Sequence, residues 1–229
     1  MPSDSENTLK YFLDQLESVE DPAQAWISTR KWFEYNAMQA GKKDPTQGWR
    51  SVSGRVFENA CKGVIQKALQ KLRARRNVQV MLWDEVPQNV KDGALSERVW
   101  VRNDIREPQI VHSLVDVVTA IIGERGDITT IPAVFSCKTS VRERYQQDLF
   151  WAEKFRSRGI RFCFATIDDG FISYASGNRT GSADKSITLS KALYDRVYLL
   201  TNQQITEDPE IFRPLDTVGA DLKLWLAAT

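Results

Sequence analysis

The sequence predicts an α/β protein, with a mixed central sheet flanked by helices and a helical region at the N-terminus. Two observations lead to this prediction. Apolar residues recur at helical spacing through the first part of the chain, and from about residue 77 they give way to short β-branched and aromatic runs separated by Gly, Asp and Pro. The 229 residues, of which 42% are hydrophobic, are enough to build a well-packed core.

Two helices are expected to open the chain. The first covers residues 8–19, where apolar residues have helical spacing. The second begins at Pro22, because Asp21 is a good N-cap and proline is favoured in the first helical turn. Residues 41–49, rich in Gly, Pro and Asp, are interpreted as a loop.

A third, long helix is expected to begin at Ser51 or Ser53, either of which can cap it. Its apolar stripe includes Val56, Phe57 and Val64. The predicted organisation is therefore a helical region over residues 1–48, for dimerisation or DNA contact, and a core over residues 49–229.

The second part of the chain alternates predicted strands with helices. A helix is expected between the fourth and fifth strands, where apolar residues recur at helical spacing up to Gly159. Another helix near residue 190, a strand at YLLT and a terminal amphipathic helix complete the prediction. The five strand-like runs are VQVMLW, RVWVR, LVDVVTAII, IPAVFSCK and IRFCFATI.

Composition excludes several classes of protein. No apolar run is long enough to span a bilayer, and the N-terminus lacks the basic and apolar regions of a secretion signal. The three cysteines contain no CxxC pair, and a single histidine cannot form a His-rich metal cluster. We therefore expect a cytoplasmic protein without a disulfide framework.

The net charge of +1 hides an uneven distribution. Residues 1–40 carry seven acids and three bases, a balance of −4, whereas residues 42–76 carry ten bases and two acids, a balance of +8. Residues 138–161 carry seven bases and three acids, a balance of +4. These basic segments either face a polyanion or are solvated helix surfaces.

The segment from Leu114 to Arg161 contains the candidate chemistry. LVDVVTAII and IPAVFSCK are interpreted as adjacent strands joined by a turn, with Asp116 on the first and Lys138, 22 residues later, on the second. An aspartate binds a hard divalent cation through oxygen, and a lysine can stabilise or deprotonate an attacking water. The alternative for such a pair is a buried salt bridge.

The string Phe135–Gln147, FSCKTSVRERYQQ, resembles the PD-(D/E)xK nucleases, and among them type II restriction endonucleases with SxK followed by RER. It most resembles the branch that reads CC/GG-containing sites such as CCGG, CCNGG and CCWGG. The resemblance covers roughly residues 51–168, and its specific part covers residues 116–147.

The resemblance implies that Asp116 and Lys138 are catalytic and that Asp116 binds metal. Ser136 stands where the family has a second acid, which a carboxylate on the following helix can replace. The usual position for that carboxylate, thirteen residues after the lysine, is Trp151. Glu153 lies two residues further on and Asp148 three residues short, and Glu153 is the candidate metal ligand.

Two further positions bear on the resemblance. The family often contributes another active-site glutamate from an upstream helix with the pattern GxxFE, and Gly54–Glu58 matches that pattern, which makes Glu58 a candidate catalytic residue. The family also prefers proline before the aspartate, whereas this chain has Val115. The second ligand, Glu153 or Glu58, therefore stays open.

Arg142, Glu143 and Arg144 are candidate DNA-reading residues, together with Ser140. Arginine bonds bidentately to guanine O6 and N7, and glutamate accepts from cytosine N4, so neighbouring Arg and Glu can cover a G·C pair. The alternative is an exposed helix start stabilised by ion pairs.

Together these features predict a Mg²⁺-dependent type II restriction endonuclease that cleaves a short double-stranded DNA site containing G·C pairs. A palindromic site would imply a homodimer with one active site for each strand. The rival hypotheses are a catalytically inactive DNA-binding protein of the same fold, because Ser136 replaces an acid, and a repair nuclease specific for DNA structure.

Overall fold

The computed structural model describes residues 4–19, 22–71, 77–99, 108–113, 115–139, 145–167, 181–201, 205 and 208–228. The first part of the chain forms three helices, α1 (Asp4–Ser18), α2 (Pro22–Gln39) and α3 (Pro45–Lys71). The two opening helices are thus confirmed, and α2 begins at the proline, as predicted.

The prediction of a loop through residue 49 is wrong, because α3 already begins at Pro45. The side chain of Asp44 accepts a hydrogen bond from the backbone N of Gln47 at 2.9 Å, as an N-cap does. Gly48 consequently lies inside the helix, where an added Cβ would come within 3.4 Å of the Phe33 ring. The predicted boundary between residues 48 and 49 falls within α3, and the division into two regions stays a prediction.

The rest of the described chain alternates strands and helices. The strands are β1 (Val78–Leu82), β2 (Ser96–Val99), β3 (Gln109–His112), β4 (Val117–Ile122), β5 (Ile128–Lys138), β6 (Arg161–Ile167), β7 (Arg196–Leu200) and β8 (Phe212–Pro214). The helices are α4 (Gln88–Asp92), α5 (Tyr145–Ser157), α6 (Gly181–Leu193) and α7 (Val218–Ala228), with short 3-10 turns at Trp83–Glu85 and Leu215–Thr217.

Six strands form one mixed sheet in the order β1-β4-β5-β6-β7-β8. β1, β4 and β5 are antiparallel neighbours, whereas β5, β6, β7 and β8 run parallel. β2 and β3 pair separately as a small antiparallel sheet. The mixed central sheet predicted from the sequence is confirmed.

Helices cover both faces of the central sheet. On one face Phe57 and Ile65 of α3 pack in the same core as Phe135 and Cys137 of β5. Phe12 and Ala25 of the first two helices belong to that core as well, so the N-terminal helices pack against α3.

On the other face Trp151 and Phe155 of α5 pack with Val118 of β4 and Val134 of β5. Ile187 and Leu193 place α6 in the same cluster. β5 is therefore buried from both sides, and its C-terminal residue, Lys138, marks the edge of the core. None of the helices in the described parts of the chain is both long enough and apolar enough to cross a membrane.

Candidate active site

Asp116 lies immediately before β4, where the ends of β1 and β5 also meet. Its backbone N donates to the carbonyl of Phe135 at 2.9 Å, and its carbonyl accepts from the backbone N of Trp83 at 3.0 Å. Its carboxylate accepts a hydrogen bond from the backbone N of Cys137 at 2.6 Å. Asp116 is thus held at the edge of the sheet by backbone contacts with β5 and with the turn that follows β1.

Lys138, the last residue of β5, meets that carboxylate. Its Nζ donates to Oδ1 of Asp116 at 2.8 Å and to Oδ2 at 2.7 Å. Both side chains are largely buried, with 18% of Lys138 and 12% of Asp116 exposed. The predicted proximity of the two residues is confirmed, although Asp116 lies just before β4 rather than on it. Each charge compensates the other in an environment where an unpaired ion would be costly.

Glu58 reaches the same carboxylate from α3. Its carboxyl group is 19% exposed and lies close enough to Asp116 to interact with it electrostatically. Burial, and then the negative charge of Asp116, raise the pKa of Glu58 from 4.5 to about 7, although Lys138 and Arg55 oppose this shift. The carboxyl group of Glu58 therefore holds its proton to a higher pH than an ordinary glutamate does.

This arrangement predicts a pH-dependent gain in stability for Glu58→Gln without metal. A carboxyl whose pKa is higher in the folded protein than in the unfolded chain costs stability as the pH rises from about 4.5 to about 7. At pH 8 in EDTA we expect the variant to exceed the wild type by about 1–3 kcal/mol in free energy of unfolding, and at pH 5 to match it. Urea denaturation at both pH values measures the difference.

Glu124→Gln, in the exposed turn between β4 and β5, is the matched control and should alter stability equally little at both pH values. If the free energy of unfolding of Glu58→Gln differed from that of the wild type by the same amount at pH 5 and pH 8, the close approach of Glu58 to Asp116 would be contradicted.

The other predicted acid positions lie elsewhere. Glu153 is exposed on α5, and within the described parts of the chain no hydrogen bond or ion pair joins it to Asp116 or Lys138. Asp148, on the same helix, is buried and accepts a hydrogen bond from the hydroxyl of Tyr194 at 2.5 Å. The hydroxyl of Ser136 is buried and has no hydrogen-bond partner among the described residues, so it does not orient Asp116.

The candidate DNA-reading residues lie outside the described residues. These are Ser140, Arg142, Glu143 and Arg144. The described chain ends at Thr139, next to Lys138, and resumes at Tyr145, where α5 begins. The reading role of these residues therefore stays a prediction.

The sequence did not point to the Trp83–Glu85 turn, which borders the site. Nη2 of Arg55, on α3, lies 2.6 Å from Oδ2 of Asp84, and this hydrogen bond lowers the pKa of Asp84 below its ordinary value. Nζ of Lys62 lies 2.6 Å from both carboxylate oxygens of Glu85. The only available signal was the spacing of Arg55, Glu58 and Lys62, which places all three on one helical face.

The cysteines are core residues, as the apolar strand contexts of Cys137 and Cys163 suggest. Cys61, Cys137 and Cys163 are all buried free thiols. Burial, and then contact with Cys61, raise the pKa of the Cys137 thiol. Neutral thiols of this kind pack as small apolar groups behind the site and are poor nucleophiles.

The site has two carboxylates suited to a divalent cation. Glu58 and Asp116 offer oxygen atoms, the donors that hard cations such as Mg²⁺ prefer, and their carboxyl groups already meet. No group of three or more acidic, Cys or His side chains suited to a metal occurs among the described residues. A cation here would take its remaining ligands from water or substrate, as Mg²⁺ commonly does.

A family model described as BsaWI restriction endonuclease type 2 matches residues 95–218. That range spans more than half of the 229 residues and includes Asp116, Lys138 and the RER segment. The chain belongs to the BsaWI family of type II restriction endonucleases. As a BsaWI-family protein it is a nuclease of the class that the SCK and RER motifs predict. No curated protein matches the sequence.

Solved structures of restriction endonucleases resemble this BsaWI-family chain at low sequence identity. The specific AgeI–DNA complex matches with 16% identity and a TM-score of 0.50, covering 95% of this chain and 91% of that chain. The pre-specific BsaWI–DNA complex matches with 13% identity and a TM-score of 0.48, covering 99% of this chain and 95% of that chain. The AgeI likeness supports the restriction-endonuclease fold.

Proposed function

We propose that this protein hydrolyses phosphodiester bonds in double-stranded DNA, at a short site containing G·C pairs and with Mg²⁺ as cofactor. The observation that supports this most directly is the meeting of Lys138, Asp116 and Glu58 at one edge of the sheet. Membership of a restriction-endonuclease family gives the reaction class. The similar AgeI structure, which is a complex with DNA, favours DNA as the substrate.

Asp116 and Glu58 are the proposed metal ligands, and we favour Glu58 over Glu153 as the second acid. Glu58 contacts Asp116, whereas Glu153 is exposed on α5. A divalent cation held by these oxygens would offset the charge of the pentacovalent phosphate and acidify a bound water. The fixed backbone contacts of Asp116 keep its carboxylate in place without substrate.

Lys138 is proposed to position or activate the attacking water. Its ammonium group now spans both oxygens of Asp116, so it already lies beside the carboxylate that would face the scissile phosphate. A cation at Asp116 would replace Lys138 as the partner of that carboxylate and leave the ammonium group able to bond to phosphate or water. Such a fixed positive group stabilises negative charge that develops in the transition state.

The base-reading role is assigned to Arg142, Glu143 and Arg144, with Ser140 beside them. These residues follow Lys138 closely in the chain, so a phosphate at Lys138 would bring base edges within their reach. Arg and Glu side chains match the hydrogen-bonding groups of G and C in the major groove. If the site is a palindrome, a two-fold homodimer would place one active site at each strand.

Cleavage of a mixed-sequence plasmid tests this function. With Mg²⁺ we expect discrete fragments whose sequenced ends share one short site containing adjacent G·C pairs, and with EDTA we expect intact plasmid. DNA binding without cleavage would favour the catalytically inactive alternative, which Ser136 in place of an acid suggests. Fragment ends without a common sequence would favour a structure-specific nuclease.

A further inference from the structure

The face of α3 that carries Glu58 is tied to the Trp83–Glu85 turn on both sides of that residue. Arg55, one turn before Glu58, pairs with Asp84 at 2.6 Å, and Lys62, one turn after it, pairs with Glu85 at 2.6 Å. Nη1 of Arg55 also lies 3.7 Å from Oε2 of Glu58. Glu58 therefore lies between two ion pairs that join one helix face to one turn.

The same turn is attached to Asp116. The backbone N of Trp83 donates to the carbonyl of Asp116 at 3.0 Å, and a carboxylate oxygen of Glu85 accepts from the backbone N of Leu82 at 2.7 Å. The turn thus has a fixed place relative to Asp116 and the end of β1. Through it, α3 is connected to Asp116 by polar contacts, in addition to the apolar packing of Phe57 and Ile65.

We propose that the Trp83–Glu85 turn is a positioning element that holds Glu58 at Asp116 before metal and DNA arrive. This inference rests on the proposed function, in which Glu58 and Asp116 are the metal ligands. When both carboxyl groups are ionised they repel each other, and the ion pairs at Arg55 and Lys62 add to the packing of α3 in keeping them together. Ligands fixed in advance by outer contacts bind a cation more tightly than free ones.

A charge-balanced double variant separates positioning from simple electrostatics. Asp84→Asn removes a negative charge and weakens cation binding by Coulomb attraction alone, whereas Arg55→Gln removes a positive charge and favours binding. In Arg55→Gln/Asp84→Asn the net charge is that of the wild type, so the difference lies in the lost contacts of Arg55 with Asp84 and with Glu58. We expect this double variant to bind Mn²⁺ about tenfold more weakly, in line with the loss of an outer-shell contact.

Mn²⁺ binding is measured on the full chain without DNA, from the electron paramagnetic resonance signal of free Mn²⁺. The matched control is Arg30→Gln/Glu34→Gln, which removes an ion pair of 2.9 Å on α2 and should leave Mn²⁺ affinity unchanged. The single variant Arg55→Lys keeps the positive charge opposite Asp84. Its Mn²⁺ affinity should lie between that of the double variant and that of the wild type. In EDTA the melting temperature of the double variant should stay within about 3 °C of wild type, because exposed ion pairs contribute little to stability.

The outcomes separate this proposal from the proposed function. Wild-type Mn²⁺ affinity in Arg55→Gln/Asp84→Asn, with reduced affinity in Asp116→Asn, would overturn the positioning role and leave the metal site standing. A lower melting temperature with unchanged Mn²⁺ affinity would show that the ion pairs only stabilise the fold. Unchanged affinity in Asp116→Asn would overturn both the metal site and the role of the turn.

Discussion

Asp116→Ala and Lys138→Ala are each expected to lose DNA cleavage by about a thousandfold or more. The first removes a proposed metal ligand, and the second removes the ammonium group that now bonds both oxygens of that ligand. Each change removes several kcal/mol of transition-state stabilisation, and each 1.36 kcal/mol corresponds to a factor of ten in rate. Single-turnover cleavage of plasmid DNA with saturating Mg²⁺ measures the loss.

Asp116→Asn tests the same role with less risk to folding. Asparagine keeps an oxygen that can accept the hydrogen bond from the backbone N of Cys137, whereas alanine leaves that donor and the Lys138 ammonium unpaired. The matched control is Glu153→Gln, which changes an exposed carboxylate on α5 and should keep cleavage within about threefold of wild type. A larger loss in Glu153→Gln than in Glu58→Gln would assign the second acid to α5.

The fold was predictable from the sequence where burial imposes a clear pattern. β4 and β5 are buried on both faces, so their runs of Val, Ile and Ala are nearly continuous and easily recognised. The start of α3 was missed because Gly48 and Pro45 are typical of loops, whereas Asp44 caps the helix at that point. Proline is compatible with the first turn of a helix, and Pro45 directly follows the capping residue Asp44, so the helix begins there.

The site was predictable only in the part that lies on neighbouring strands. A short turn joins β4 to β5, so the register brings the residue before Val117 opposite the end of β5, next to Lys138. Glu58 depends on how α3 packs across the sheet, which no local pattern specifies. The GxxFE resemblance marked Glu58 as a candidate, but its contact with Asp116 and the ion pairs of Arg55 and Lys62 emerge only in three dimensions.

Glu143→Ala is expected to abolish the discrimination of the enzyme at one G·C pair of its site. If Glu143 accepts from a cytosine amino group, its loss leaves one edge of a G·C pair unread and costs about 1–3 kcal/mol of discrimination at that pair. Binding is measured with Ca²⁺ in place of Mg²⁺, on oligonucleotides that carry the site found at fragment ends or a single substituted base pair. The ratio of the two affinities should approach one in the variant.

The basic segment over residues 71–76 is the matched comparison, because we expect its side chains to meet phosphates or solvent. Neutralising these residues should weaken binding to all DNA to a similar extent and flatten its dependence on salt, while the ratio between site and non-site DNA stays that of the wild type. An unchanged ratio in Glu143→Ala, or a reduced ratio in the neutralised variant, would place base reading outside the RER segment. The residues to neutralise are Lys71, Arg73, Arg75 and Arg76.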